Sequence, residues 1–163
     1  MNGSFLPGNA LEEAMRILEL RLATIGIKSR RHPSKRRGPI SIVTSGGTNL
    51  GFIKVYGGDG EFFTLSQKDL REPNTLLAYV WDVYAESRVF VMTGQEALEV
   101  LGSGPQNTAS WRERGRYNWS SATGIPARRK QKMELFYMER WEWLRAEVEK
   151  RLSAPLLLGA SPA

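Results

Sequence analysis

Two β-branched runs on either side of a glycine pair constrain this chain more than any other feature. Ile40-Ser41-Ile42-Val43-Thr44 and Leu50-Gly51-Phe52-Ile53-Lys54-Val55-Tyr56 flank Ser45-Gly46-Gly47-Thr48-Asn49. β-Branched residues suit a pleated sheet, and glycine supplies the backbone freedom of a tight reversal. An antiparallel hairpin over Ser41–Tyr56 is therefore expected. Side chains alternate along a strand, so Lys54 points away from Ile53 and Val55 and shares its face with Phe52 and Tyr56.

The remaining elements arrange themselves around that hairpin. Asn9 and Glu12 form the ends of a capping box, and Leu11, Met15, Leu18, Leu22 and Ile25 make an amphipathic helical stripe that Gly26 stops. Lys28–Arg37 reads as a basic loop. Gly57-Gly58-Asp59-Gly60 reads as a turn and not as a phosphate loop, since no Gly-Lys-Ser/Thr follows and no helix opens there. A short strand at Glu61–Leu65 completes an antiparallel three-strand meander. Ser66–Asn74 is a polar connection. Leu76–Val83 is apolar almost throughout, as in a strand buried on both faces. Arg88–Met92 is a further strand, and Thr93-Gly94-Gln95-Glu96 is a second capping box whose helix Gly102 ends. Ser110–Ser121 matches no single element. Pro126 opens one long helix to about Leu152, with Met133, Phe136, Tyr137, Trp141, Leu144, Val148 and Leu152 on its apolar side. The chain has 163 residues and 41% apolar content. One α/β (α+β) domain is expected over residues 1–152, with a flexible tail at 153–163. It would have a mixed central sheet, an N-terminal helix, the meander and C-terminal helices.

Composition narrows the chemistry. Cysteine is absent, which removes disulfides, thiolate catalysis and cysteine-bound zinc. His32 is the single histidine and sits among cations, so it reads as a surface-loop residue and not as a general base. Metal chemistry would rest on carboxylates and a hard ion such as magnesium. No apolar run is long enough to span a bilayer, and the first residues lack the pattern of a secretory signal. A cytoplasmic protein with no membrane partner is expected.

Lys and Arg outnumber Asp and Glu by 23 to 17, a net charge of +6. The cations fall in three groups: Lys28, Arg30, Arg31, Lys35, Arg36 and Arg37; Arg112, Arg114 and Arg116 between Trp111 and Trp119; and Arg128, Arg129, Lys130 and Lys132. Such groups attract phosphate and release counterions from nucleic acid. Trp111, Tyr117 and Trp119 are candidates to stack on bases.

Several residues carry a likeness to a known fold. Glu13 (Glu12 second) stands on the first helix. Pro39-Ile40-Ser41-Ile42-Val43 resembles a Pro-Asp-Ile-Val strand with Ser41 in place of the aspartate. Gly51-Phe52-Ile53-Lys54 resembles an acid-X-Lys strand with Phe52 in place of the acid. Phe62–Asp69, Tyr79–Val83 and Val89–Thr93 continue the likeness. Over roughly residues 9–101 the chain resembles the PD-(D/E)XK nuclease fold of restriction endonucleases and Holliday-junction resolvases. The resemblance implies carboxylates around magnesium and a lysine that together activate water against a phosphodiester. Both central acids are missing, and no acid occurs from Ile27 to Gly58. Glu13, Ser41, Phe52 and Lys54 would then be a vestigial site that holds no metal. The function this implies is binding of nucleic acid, DNA first, on a catalytically degenerate scaffold. The alternatives are a protein-interaction or assembly module of a phage or mobile element, which includes homo-oligomers, and a magnesium-dependent endonuclease whose acids have moved to Asp59, Glu61 or Asp69.

Overall fold

The computed structural model describes residues 9–31, 39–72 and 74–159. In chain order the elements are α1 (Asn9–Thr24), β1 (Lys28–Arg31), β2 (Ile40–Val43), β3 (Asn49–Gly57), β4 (Phe63–Ser66), a 3₁₀ turn (Gln67–Leu70), β5 (Thr75–Trp81) and β6 (Arg88–Thr93). There follow α2 (Gly94–Leu101), α3 (Ser103–Gln106), α4 (Ala109–Arg114), β7 (Arg116–Trp119), α5 (Ala127–Phe136) and α6 (Trp141–Gly159). The central sheet runs β1-β2-β3-β5-β6, with β3 and β5 parallel and the other neighbours antiparallel. β4 and β7 form a separate antiparallel pair. Among the described residues, no helix is long and apolar enough to cross a membrane.

The sheet separates two cores. On one face Ile40, Ile42, Ile53, Val55, Leu76, Ala78, Val80, Val89 and Val91 pack against α1 and α6 through Met15, Leu18, Leu22, Leu144 and Val148. On the other face Leu77, Tyr79, Trp81, Phe90 and Met92 lie beneath β4, β7, α2, α4 and α5. β5 contributes to both cores, which explains its near-continuous apolarity. The hairpin forms with Ser41 opposite Phe52, its turn closed by Thr44 N–H donating to Thr48 O at 2.9 Å. The Thr93 capping box forms as the sequence implies. Thr93 Oγ1 accepts from Glu96 N–H at 3.1 Å, and Glu96 accepts from Thr93 N–H at 2.9 Å.

The structure departs from the sequence expectations at several places. Lys28–Arg31, read as loop, is an edge strand, because it pairs along β2 and Arg31 is tied to Glu12 and Glu19 of α1. The antiparallel meander is thus β1-β2-β3. The segment expected as its third strand leaves the sheet to pair with β7, since Phe63 and Leu65 are buried over the second core. Ser110–Ser121 resolves into part of α4 and β7, around the buried Trp111. The long helix is two helices. At the break Val91 N–H donates to Tyr137 O and Glu139 N–H donates to Val89 O, so residues 137–139 extend the β6 edge instead of continuing the helix. Phe136, placed on the apolar stripe, is consequently exposed. The final helix continues through Gly159 where a tail was expected, over a segment rich in the strong helix formers Ala and Leu. Residues 160–163 lie outside the described residues.

Arg140 fastens that break. Its Nε donates to Val91 O at 2.8 Å, its guanidinium pairs with Glu96, and it lies 3.7 Å from the Trp143 ring centroid. Burial alone would push the Glu96 carboxyl up, but the Arg140 guanidinium and the Thr93 amide outweigh it and hold the carboxyl below its ordinary value. Arg140→Ala removes a charge-assisted pair, a carbonyl's donor and a cation–π contact together. A loss of about 2 kcal/mol in urea unfolding is the expected result.

Candidate nucleic-acid interface

Lys54 sits on the central strand with Ile53 and Val55 buried on the far face. Its ammonium meets Asp69 Oδ1 at 2.7 Å. The other carboxylate oxygen accepts from Tyr56 O–H at 2.5 Å and from Ser66 N–H at 3.1 Å. The Asp69 side chain is 1% exposed, whereas the Lys54 side chain is 40% exposed. Asp69 is carried by the 3₁₀ turn, where it and Ser66 form a capping box. Burial, then the hydrogen bond and charge of Asp69, push the Tyr56 hydroxyl far above its ordinary value, with Arg116 opposing. Tyr56 therefore remains a donor at neutral pH, and one carboxylate serves three donors. The Ser66-x-x-Asp69 spacing signals this cap in the sequence, but nothing local signals its partnership with Lys54.

Around this cluster runs a basic stripe. Arg30 is opposite Ser41, and Ser41 is opposite Phe52. Directly opposed residues project to one side of a sheet, so Arg30, Ser41 and Phe52 form a row on the face of Lys54 and Tyr56. Lys28, opposite Val43, projects to the same side. Arg116 lies opposite Ser66 and is exposed, and its carbonyl accepts from Ser110 Oγ of α4 at 2.7 Å. Arg112 and Arg114 of α4 are exposed. Among the described residues, Lys28, Arg30, Arg112, Arg114 and Arg116 form no ion pair within 4.0 Å.

Other sequence candidates are placed differently. Arg31 is turned to α1 and engaged there. Lys130 pairs with Glu61 at 2.6 Å, beside Arg88. Arg128 is exposed, and with Arg129, Trp119, Pro105, Pro126 and Ala127 it lines a surface pocket of about 460 Å³. Trp111 is buried and Tyr117 packs edge-on to Trp119, so the exposed aromatic of this face is Phe52 and not the tryptophans. His32, Lys35, Arg36 and Arg37 lie outside the described residues.

The vestigial site residues do not converge. Ser41, Phe52 and Lys54 share one face of the sheet, while α1, which carries Glu13, packs on the other. Glu13 pairs with Arg16 and borders Val83 and Tyr84. The residues at these positions do not fit magnesium: a serine hydroxyl, a phenyl ring and an ammonium face one side, and a lone carboxylate the other. Asp69 accepts three hydrogen bonds, and Glu61 is held by Lys130 and Arg88. Among the described residues, no group of three or more His, Asp or Glu is placed to hold a metal ion.

The Glu61 pair has a readable pH signature. The paired Lys130 ammonium lowers the Glu61 carboxyl below its ordinary value of 4.5, with Arg88 adding to it and burial opposing it. A lowered folded pKa gives stability that is complete above the ordinary value and is lost as pH falls through the folded one. Urea midpoints measured from pH 6 to 3 should therefore fall more steeply for the native chain than for Glu61→Gln.

No family model, curated protein or solved structure matches this chain.

Proposed function

We propose that this protein binds nucleic acid, DNA first, without cleaving it, through the basic stripe from β1 across β3 to β7 and α4. The observation that carries this reading is the division of charge across β1. Arg31 turns inward to Glu12 and Glu19, whereas Lys28 and Arg30 on the opposite side have no carboxylate partner among the described residues. Cations left unneutralised on one surface create the potential that draws in a polyanion. The separation of Glu13 from Ser41, Phe52 and Lys54 removes the support these positions gave to a PD-(D/E)XK-like scaffold, so the binding reading rests on the basic stripe alone, with Lys54 a structural cation held by Asp69. The reading implies a cytoplasmic location.

The test is to incubate the protein with supercoiled and linear DNA at low salt, with magnesium or manganese. Retarded but intact DNA is expected. Nicking that Glu13→Ala, Asp69→Asn or Glu61→Gln abolishes would instead favour an endonuclease with relocated acids.

A second reading, an assembly module, draws on Leu135, Phe136 and Met138, which are exposed beside the β6 edge. It predicts a defined oligomer in sedimentation that Phe136→Asp dissociates.

A further inference from the structure

Phe52 occupies a position that folding alone does not explain. It lies on the middle strand of the five-stranded sheet, yet it is 39% exposed. Along its own face, Tyr56 packs against the second core and stacks on Tyr79 at 5.3 Å between centroids. Lys54 is held by Asp69. Phe52 stands just beyond the rim of that covering layer, with the smaller Ser41 beside it and Arg30 one strand further. An exposed phenyl ring gives up apolar burial that a polar residue at the same place would not. Arg30 lies in the same cross-strand row two strands away, and Lys54, its ammonium paired with Asp69, lies two residues along the strand.

We infer that Phe52 is a stacking platform for an unpaired base, so that the preferred ligand is a single-stranded nucleic acid; this rests on the nucleic-acid reading above. The charge argument selects the occupant. A ring in the same row as the unpaired Arg30 suits a chain that alternates phosphates with flat apolar faces, because the cation takes the backbone and the ring takes the base. A duplex keeps its bases stacked within itself and offers the ring nothing.

The experiment uses fluorescence anisotropy with a labelled single-stranded oligonucleotide, its duplex of equal length, and inorganic polyphosphate as a competitor without bases. The native chain should bind the single strand more tightly than the duplex. Phe52→Ala should weaken single-strand binding about tenfold, and Phe52→Trp should restore it. Neither variant should change duplex binding or competition by polyphosphate by more than about twofold. The side chain is exposed, so folding is expected to survive, and circular dichroism checks this. Unchanged single-strand binding in Phe52→Ala, or duplex binding as tight as single-strand binding, overturns this inference and leaves the nucleic-acid reading standing. An equal loss toward all three ligands marks a structural role and overturns it as well. A change in the oligomeric state of the free protein would make Phe52 a protein contact. Absence of binding to any nucleic acid at low salt overturns both the inference and the reading beneath it.

Discussion

Replacing Asp69 with alanine is expected to destabilise the fold by about 3 kcal/mol, one of the largest effects of any single substitution in this chain. The carboxylate is buried and accepts from Lys54, Tyr56 and Ser66. Lys54 can turn its ammonium to water, since its side chain is half-exposed. Tyr56 O–H and Ser66 N–H are partly buried and lose their acceptor outright, and the capping box of the 3₁₀ turn goes with them. Asp69→Asn keeps one acceptor oxygen and should recover about half of the loss. Tyr56→Phe deletes a donor and leaves the other two, so its cost should be about 1 kcal/mol. Urea unfolding of the three variants orders them.

The second large effect concerns affinity. Arg30→Glu combined with Arg116→Glu should weaken nucleic-acid binding by roughly two orders of magnitude at low salt, with the unfolding midpoint little changed. Both residues are exposed and without ion pairs among the described residues. Reversing them removes two phosphate contacts and adds two repulsions. Arg31→Glu is the informative contrast. It places a third carboxylate beside Glu12 and Glu19, so its damage should appear in stability first. Titrations at several salt concentrations beside the unfolding curves separate the two outcomes.

What was legible in the sequence was what local chemistry decides. The hairpin followed from β-branched runs around Gly46-Gly47. α2 followed from its capping box, and the two-faced burial of β5 from its unbroken apolarity. The unreadable parts were those made by partners distant in sequence. Lys28-Ser29-Arg30-Arg31 has no apolar alternation and becomes a strand only because β2 supplies its ladder and α1 supplies acids. β4 and β7 find each other across a long stretch of chain that includes two strands and three helices. The break between α5 and α6 lies in a continuous helical pattern and is imposed by hydrogen bonds to β6. The candidate site behaved the same way. Lys54 and Phe52 stand out through the likeness to an acid-X-Lys strand, and strand alternation puts them on one face with Tyr56, as in the structure. In sequence Asp69 is only one of several nearby acids, since its meeting with Lys54 depends on how the chain leaves β4. The tryptophans flanking the second basic group do not supply the exposed aromatic of this face, since Trp111 is needed for the core; the exposed ring in the row of Arg30 is Phe52.

The salt dependence of affinity tests the central claim most directly. If Lys28, Arg30, Arg112, Arg114 and Arg116 contact phosphates, the logarithm of the association constant should fall linearly with the logarithm of salt concentration, with a slope of about −4. Between 50 and 200 mM salt the affinity should then drop by roughly two orders of magnitude, and the Arg30→Glu, Arg116→Glu variant should give a slope shallower by about 2. Binding that is absent at low salt, or a slope that the double reversal leaves unchanged, would contradict the account.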